Sequence, residues 1–238
     1  MSVPLTSPRS SHGPLAPPSL RGVLWDQDGT VIDSEPAWCA AEFTLVQRHG
    51  GHWTQADAMN LVGSDLNRTA AALRAAGVNL EIEALINALT DLVIEQVMDT
   101  NPWREGIIEA LADCRAAGLR CALVSMSWRR FTHAVAGLLP GTFDAVVSGD
   151  EVTKGKPDPE PYLIGAARLG LPVDCCIAVE DSPTGVASAL AAGLPVVVVP
   201  GAVDVPLVPG LVKVSSAKAI TVDWLRQVHS QLAADRLS

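Results

Sequence analysis

The stretch "GVLWDQDGTVIDSEP", Gly22 to Pro36, decides how the rest of the chain is read. It starts as an apolar run of the kind that forms a buried strand. It ends in two carboxylates two residues apart, Asp26 and Asp28, followed at once by a Gly-Thr pair. Strand alternation places both acids on one face. Two anions that close raise each other's pKa unless a cation sits between them. The stretch therefore asks for a partner from elsewhere in the chain.

Further runs of the same kind follow at 119–125, 144–148, 175–180, 195–199 and 211–214. Helix-like segments at 105–117, 127–138, 159–169 and 183–192 separate them. This alternation predicts a parallel sheet in an α/β fold, covered on both faces because the strands are apolar throughout. Between the first strand and the next, no strand-like run occurs. Helical patterns at 36–49, 55–62, 65–76 and 81–99 fill the gap, two of them stopped by Gly50-Gly51 and Gly77. The expectation is a Rossmann-like core, residues 20–32 and 105–238, with an inserted all-helical cap at 33–104.

The 238 residues suffice for such a core plus an insertion. Seventeen basic against 26 acidic residues give a net charge of −9, which argues against nucleic acid and anionic membranes as partners. Five cysteines without CxxC spacing predict free thiols in a reducing, cytoplasmic setting. The Pro- and Ser-rich residues 1–19 read as a disordered tail rather than a signal peptide. The charge-free segment between Asp181 and Asp204 is broken by Gly193, Pro195 and Pro200, so it reads as a small-residue helix and a buried strand, not a membrane span. No interface pattern stands out, and a monomer is expected.

In parallel α/β sheets, functional groups gather where strands end. The predicted strand ends carry Asp26 and Asp28, then Ser125, then Lys156 in "GDEVTKGKPDP", then Glu180 and Asp181 in "VEDSPTG". Clustered carboxylates suit Mg²⁺, a hard cation that prefers oxygen ligands. The Ser hydroxyl and Lys ammonium suit a phosphoryl group. Taken singly, these residues have simpler readings. Asp-Gly makes turns, and Ser125, Asp181 or Ser182 could cap helices.

Taken together, "DQDGT" (26–30), Ser125, "KGKPDP" (154–159) and "VEDSPTG" (179–185) resemble the haloacid dehalogenase superfamily, in its β-phosphoglucomutase-like and sugar-phosphate phosphatase branch with a helical cap. The resemblance implies Asp26 as nucleophile, forming an aspartyl-phosphate, and Asp28 as general acid/base. It implies Ser125 and Lys156 as phosphate-binding residues. It implies Mg²⁺ as cofactor, held by Asp26, Asp28 (through its main-chain carbonyl) and Asp181, with Glu180 a ligand or an outer partner. Gly29 would permit a sharp turn, and Thr30 would orient the acid.

The implied activity is hydrolysis of a small phosphorylated metabolite, a sugar phosphate being the expected substrate. Asp28 argues against halide displacement, and the absence of Lys from 33–104 argues against phosphonate hydrolysis through a cap lysine. A β-phosphoglucomutase-type phosphotransferase is the alternative. The mutase's cap His and Arg correspond here to Trp38 and Leu66, with Arg68 nearby but shifted. That departure favours a phosphatase. A metal- and phosphate-binding protein with little turnover is the alternative of another class. In the cap, Gly63 and Ser64 within "LVGSDLNRT" read the substrate or merely break a helix that Asp65 restarts, and Trp38 is substrate contact or cap core.

Overall fold

The computed structural model describes residues 18–61 and 64–235. Each predicted apolar run carries one strand: β1 (Gly22–Trp25), β2 (Arg120–Val124), β3 (Ala145–Val147), β4 (Cys176–Glu180), β5 (Val196–Val198) and β6 (Leu211–Lys213). All neighbouring pairs are parallel, in the order β3-β2-β1-β4-β5-β6. The order reverses between β1 and β4, where an open α/β sheet leaves a crevice at its carboxyl edge. The predicted α/β class and parallel sheet are correct.

Alternation along the strands divides the core in two. Val23, Trp25, Leu123, Val179 and Val197 face one side and pack with α5 (Ile107–Ala116), α6 (Arg129–Gly137) and α9 (Val222–Asp235). Leu24, Ala122, Val124, Ala178 and Val196 face the other and meet α7 (Glu160–Arg168) and α8 (Pro183–Ala191). The charge-free segment after Asp181 is α8 followed by β5, and among the described residues no helix is long and apolar enough to cross a membrane. The sequence reading did not mark α9, although Leu225, Val228 and Leu232 recur at helical spacing and are buried.

Four helices lie between β1 and α5: α1 (Glu35–Arg48), α2 (Gln55–Met59), α3 (Leu66–Ala75) and α4 (Ile82–Thr100). Leu45, Leu73, Leu89 and Val93 form their buried seam, which is continuous with the core face that holds Phe131. α2 is shorter than the expected 55–62. A Thr54–Asp57 capping box opens it, but Leu61 N–H and Ser64 N–H turn back to the carbonyls of Ala58 and Leu61, closing tight turns that end the helix. Asp65 starts α3, its carboxylate accepting from Asn67 N and Arg68 N at 3.0 and 3.1 Å. Gly63, expected to read the substrate, lies outside the described residues, as do residues 1–17 of the expected tail.

The two ends of this insertion run side by side. Ile32 bridges Trp103, Asp33 N donates to Pro102 O at 2.8 Å, and Arg104 N donates to Val31 O at 3.1 Å. The same Ile32 also bridges Asp28. The insertion therefore leaves and rejoins the sheet next to the second acid of the opening stretch.

Candidate active site

β1 stops at Trp25, ahead of both acids, so strand pleating does not by itself align them. Asp26 still donates its N–H to Val179 O at 3.0 Å, in line with the ladder. Beyond it the chain turns out of the sheet. Gly29, at φ +89°, makes that turn, and a Cβ there would overlap the Asp181 carboxylate. The turn thus sets the DQDG segment directly against the end of β4.

Of the two acids in the opening stretch, Lys156 supplies a cation to Asp26 alone; its other carboxylate partner is Glu180, not Asp28. Its Nζ lies 2.6 Å from Asp26 Oδ1, 2.7 Å from Glu180 Oε1 and 3.1 Å from Val124 O, which uses all three ammonium donors. The ammonium also sits 4.9 Å from the centre of the Tyr162 ring. Burial alone would lower its pKa, but the Asp26 and Glu180 carboxylates outweigh that and hold it above the usual lysine range. Glu180 is saturated in turn. Tyr162 Oη also donates to Oε1, and Oε2 accepts from Asp181 N, Ser182 N and Ser182 Oγ.

Asp26 differs. Its Oδ1 is held by Lys156, while its Oδ2 is buried with no hydrogen-bond partner. Burial, and then the charge of Glu180, push the Asp26 carboxyl well above its ordinary value against the pull of Lys156. Asp181 is raised to about 7, first by burial and then by Glu180, with the Thr30 hydroxyl at 3.3 Å from Oδ1 acting the other way. Thr30 therefore orients Asp181, not the second acid as expected. Asp26, Glu180 and Asp181 offer oxygens within 4.8 Å of one another. An orphaned buried oxygen among hard donors fits a small divalent cation. Since Glu180 is saturated, Asp26 and Asp181 have the oxygens to spare.

Asp28 is not in that cluster. Its Oδ1 accepts from Ser34 Oγ at 2.6 Å and Trp38 Nε1 at 3.3 Å. Its Oδ2 accepts from Ser127 Oγ at 2.8 Å, Ser125 Oγ at 3.0 Å and Gln27 Nε2 at 3.2 Å. Only its main-chain carbonyl is left to face a cation. The five donors come from three places: Ser125 and Ser127 follow β2, Ser34 and Trp38 open α1, and Gln27 is the neighbour in the turn after β1. Trp38 is also edge-on to Phe131, ring centres 5.5 Å apart, so it serves as packing and as polar contact.

A cavity of about 430 Å³ opens over these groups, bounded by Asp26, Asp28, Lys156 and Asp181 on the sheet side and by α1 and the α2–α3 turn on the other. Trp38 and Ser64 line it, and so does Asp65, which also caps α3. Ser125 and Glu180 do not; both are fully buried behind it. Ser125 reaches the site through Asp28 and through Ser127, whose N–H donates to Ser125 Oγ at 2.9 Å. Ser182, not Asp181, caps α8. Arg68 is exposed and outside the lining. Ser34, Ser127, Tyr162 and Glu42 were missed. Ser127 stands two residues past Ser125 in "LVSMS", a signal in the sequence; Tyr162, in the first turn of α7, and Glu42, in the middle of α1, carry no local signature. The cysteines are free, all buried except the partly exposed Cys39.

A parallel sheet that assembles an Asp-x-Asp turn, a loop lysine and an acidic β4 end defines a class of α/β hydrolases, and the chain belongs to the haloacid dehalogenase-like hydrolase family, whose model matches residues 23–199. Among its relatives, hexitol phosphatase A of Escherichia coli (strain K12) is 34% identical over 190 residues, 78% of this chain and 86% of that protein. A phosphorylated carbohydrates phosphatase of Thermotoga maritima is 29% identical over 192 residues, 74% of this chain and 82% of that one. The fold matches CbbY from Rhodobacter sphaeroides in complex with phosphate at a TM-score of 0.77 and 24% identity, covering 84% of this chain and 96% of CbbY.

Proposed function

We propose that the protein is a Mg²⁺-dependent phosphatase that hydrolyses a small phosphomonoester, a sugar or sugar-alcohol phosphate, through an aspartyl-phosphate on Asp26. The observation that carries this reading is the Asp26 carboxylate, with one oxygen fixed by Lys156 and the other buried, unpartnered and beside Asp181. The names of the hexitol and carbohydrate phosphatases among its relatives support the substrate class.

In this reading Asp26 attacks phosphorus while Asp28, in its protonated form, gives its proton to the departing alcohol oxygen. Asp28 then takes a proton from the water that cleaves the aspartyl-phosphate, which regenerates both acids. Five hydrogen bonds hold Asp28 in one orientation for both transfers. Lys156 and the Met126–Ser127 segment line the cavity where charge spreads over the phosphoryl oxygens, and Ser125 supports them from behind through Asp28 and Ser127. Glu180 and Tyr162 position Lys156 from behind. Mg²⁺, held by Asp26, Asp181 and the Asp28 main-chain carbonyl, would neutralise charge between nucleophile and phosphoryl group. Residues 33–104 act as a cap that closes the cavity against water. The mutase alternative has less support in the lining, where the insertion contributes four acids against Arg104, and Arg68 is absent.

Phosphate release from a panel of phosphomonoesters, with Mg²⁺ and with a chelator, tests the proposal. Turnover is expected only with the metal, and Asp26→Asn is expected to lose at least about 10³-fold in kcat. Equal rates for Asp26→Asn and wild type would overturn it.

A further inference from the structure

One carboxyl in the cavity wall has no part in that chemistry. Glu35, Trp38 and Glu42 stand at i, i+3 and i+7 of α1, on one helix face, and all three line the cavity. Glu42 is only 5% exposed, although its buried neighbours on the helix, Ala37, Ala41, Leu45 and Val46, are all apolar. A carboxyl placed there costs stability unless its oxygens find donors. One does: Trp53 Nε1 donates to Oε2 at 3.2 Å. The other, Oε1, takes no hydrogen bond and no ion pair among the described residues.

The surrounding charge is one-sided. Seven carboxylates line the cavity against two cations, Lys156 and Arg104. Lys156 is saturated, and Arg104 donates to the Pro200 carbonyl. Of the insertion's described residues in the lining, Asp33, Glu35, Glu42 and Asp65 are acidic, against one base, Arg104, at its end. A second phosphate or a carboxylate at the far end of a substrate would meet like charge, whereas hydroxyls would supply the donors that Glu42 lacks.

We propose that Glu42 is a specificity-determining residue that accepts hydrogen bonds from hydroxyls at the far end of the substrate, so that the site takes polyhydroxylated monophosphates and rejects bisphosphates. This rests on the phosphatase reading and names its substrate class.

The test compares kcat/KM for a hexitol 6-phosphate, a hexose 1,6-bisphosphate and p-nitrophenyl phosphate, in wild type and Glu42→Gln. Wild type is expected to prefer the hexitol phosphate to the bisphosphate by about 100-fold. In Glu42→Gln, the ratio of hexitol phosphate to p-nitrophenyl phosphate is expected to fall about tenfold through KM, and the discrimination against bisphosphate to shrink by a similar factor. Calorimetric titration of the hexitol phosphate into Asp26→Asn, with and without Glu42→Gln, reads the same contact without turnover, and a tenfold weaker Kd is expected. If the three substrates decline in proportion, or wild type takes the bisphosphate equally well, the inference falls while the phosphatase reading stands. If Asp26→Asn turns over like wild type, the phosphatase reading falls first.

Discussion

Replacing Glu42 by Gln should make the protein more stable at alkaline pH, and the size of the gain follows from where the carboxyl sits. Burial pushes Glu42 from an ordinary 4.5 up to about 7; the Trp53 hydrogen bond opposes the shift, and the neighbouring charge of Glu35 adds to it. The folded state therefore holds a proton on Glu42 over a range where the unfolded chain has released it. Stability falls as pH rises from about 4.5 through about 7. The gap between those values corresponds to about 3 kcal/mol once the group is ionised in both states. Gln keeps the shape and an acceptor for Trp53 but does not titrate. Wild type and Glu42→Gln should match near pH 4 and separate by up to about 3 kcal/mol at pH 8, the variant being the more stable. Urea denaturation at pH 4, 6 and 8 in chelator measures this, with equal m-values showing that the unfolded states are comparable. Parallel stability curves between pH 5 and 8 would refute the reasoning, because they would mean that Glu42 ionises in the fold as easily as in water.

Three further outcomes are expected. Lys156→Met leaves Asp26 and Glu180 buried without their cation and should cost about 3–5 kcal/mol in urea denaturation, part of it recovered on adding Mg²⁺; a loss below about 1 kcal/mol would contradict the bridging role. Gly185→Ala would ordinarily favour a helix by about 1 kcal/mol. Here the new Cβ overlaps the Glu180 carboxylate, so thermal denaturation should show a loss of about 1–3 kcal/mol instead. Trp38→Phe keeps the edge contact to Phe131 but removes the donor to Asp28, so stability should change by about 1 kcal/mol or less while kcat falls several-fold; an unchanged kcat would mean that this bond does not orient the acid.

The sheet was legible because each buried strand is a run of β-branched and small apolar residues bounded by turn formers, a local signal. The residues at the strand ends were legible for the same reason: Asp26 and Asp181 directly follow such runs, and Lys156 follows β3 by nine residues in a Gly- and Pro-marked loop. What stayed hidden depends on contacts between distant segments. Thr30 looks like a partner of its near neighbour Asp28, yet the Gly29 turn carries it to Asp181, 151 residues away in sequence. Glu180 reads as either a metal ligand or an outer partner, and only the structure shows five donors from Lys156, Tyr162 and the start of α8 on its oxygens. Glu42 reads as an ordinary surface glutamate in a helix. Only the folded chain, which sets the Trp53 indole against it at the cavity wall, shows that it is inside.

The bridge from Ile32 to both Asp28 and Trp103 has a mechanical meaning. Asp28 is bonded to Ser125 and Ser127 on the sheet and to Ser34 and Trp38 on α1. The acid is thus a rivet between two bodies whose joint runs beside it. Lifting α1 away from the sheet pulls two donors off one carboxylate oxygen and leaves the other oxygen anchored. In the proposed mechanism, the side chain that moves protons would then also register whether α1 lies against the sheet.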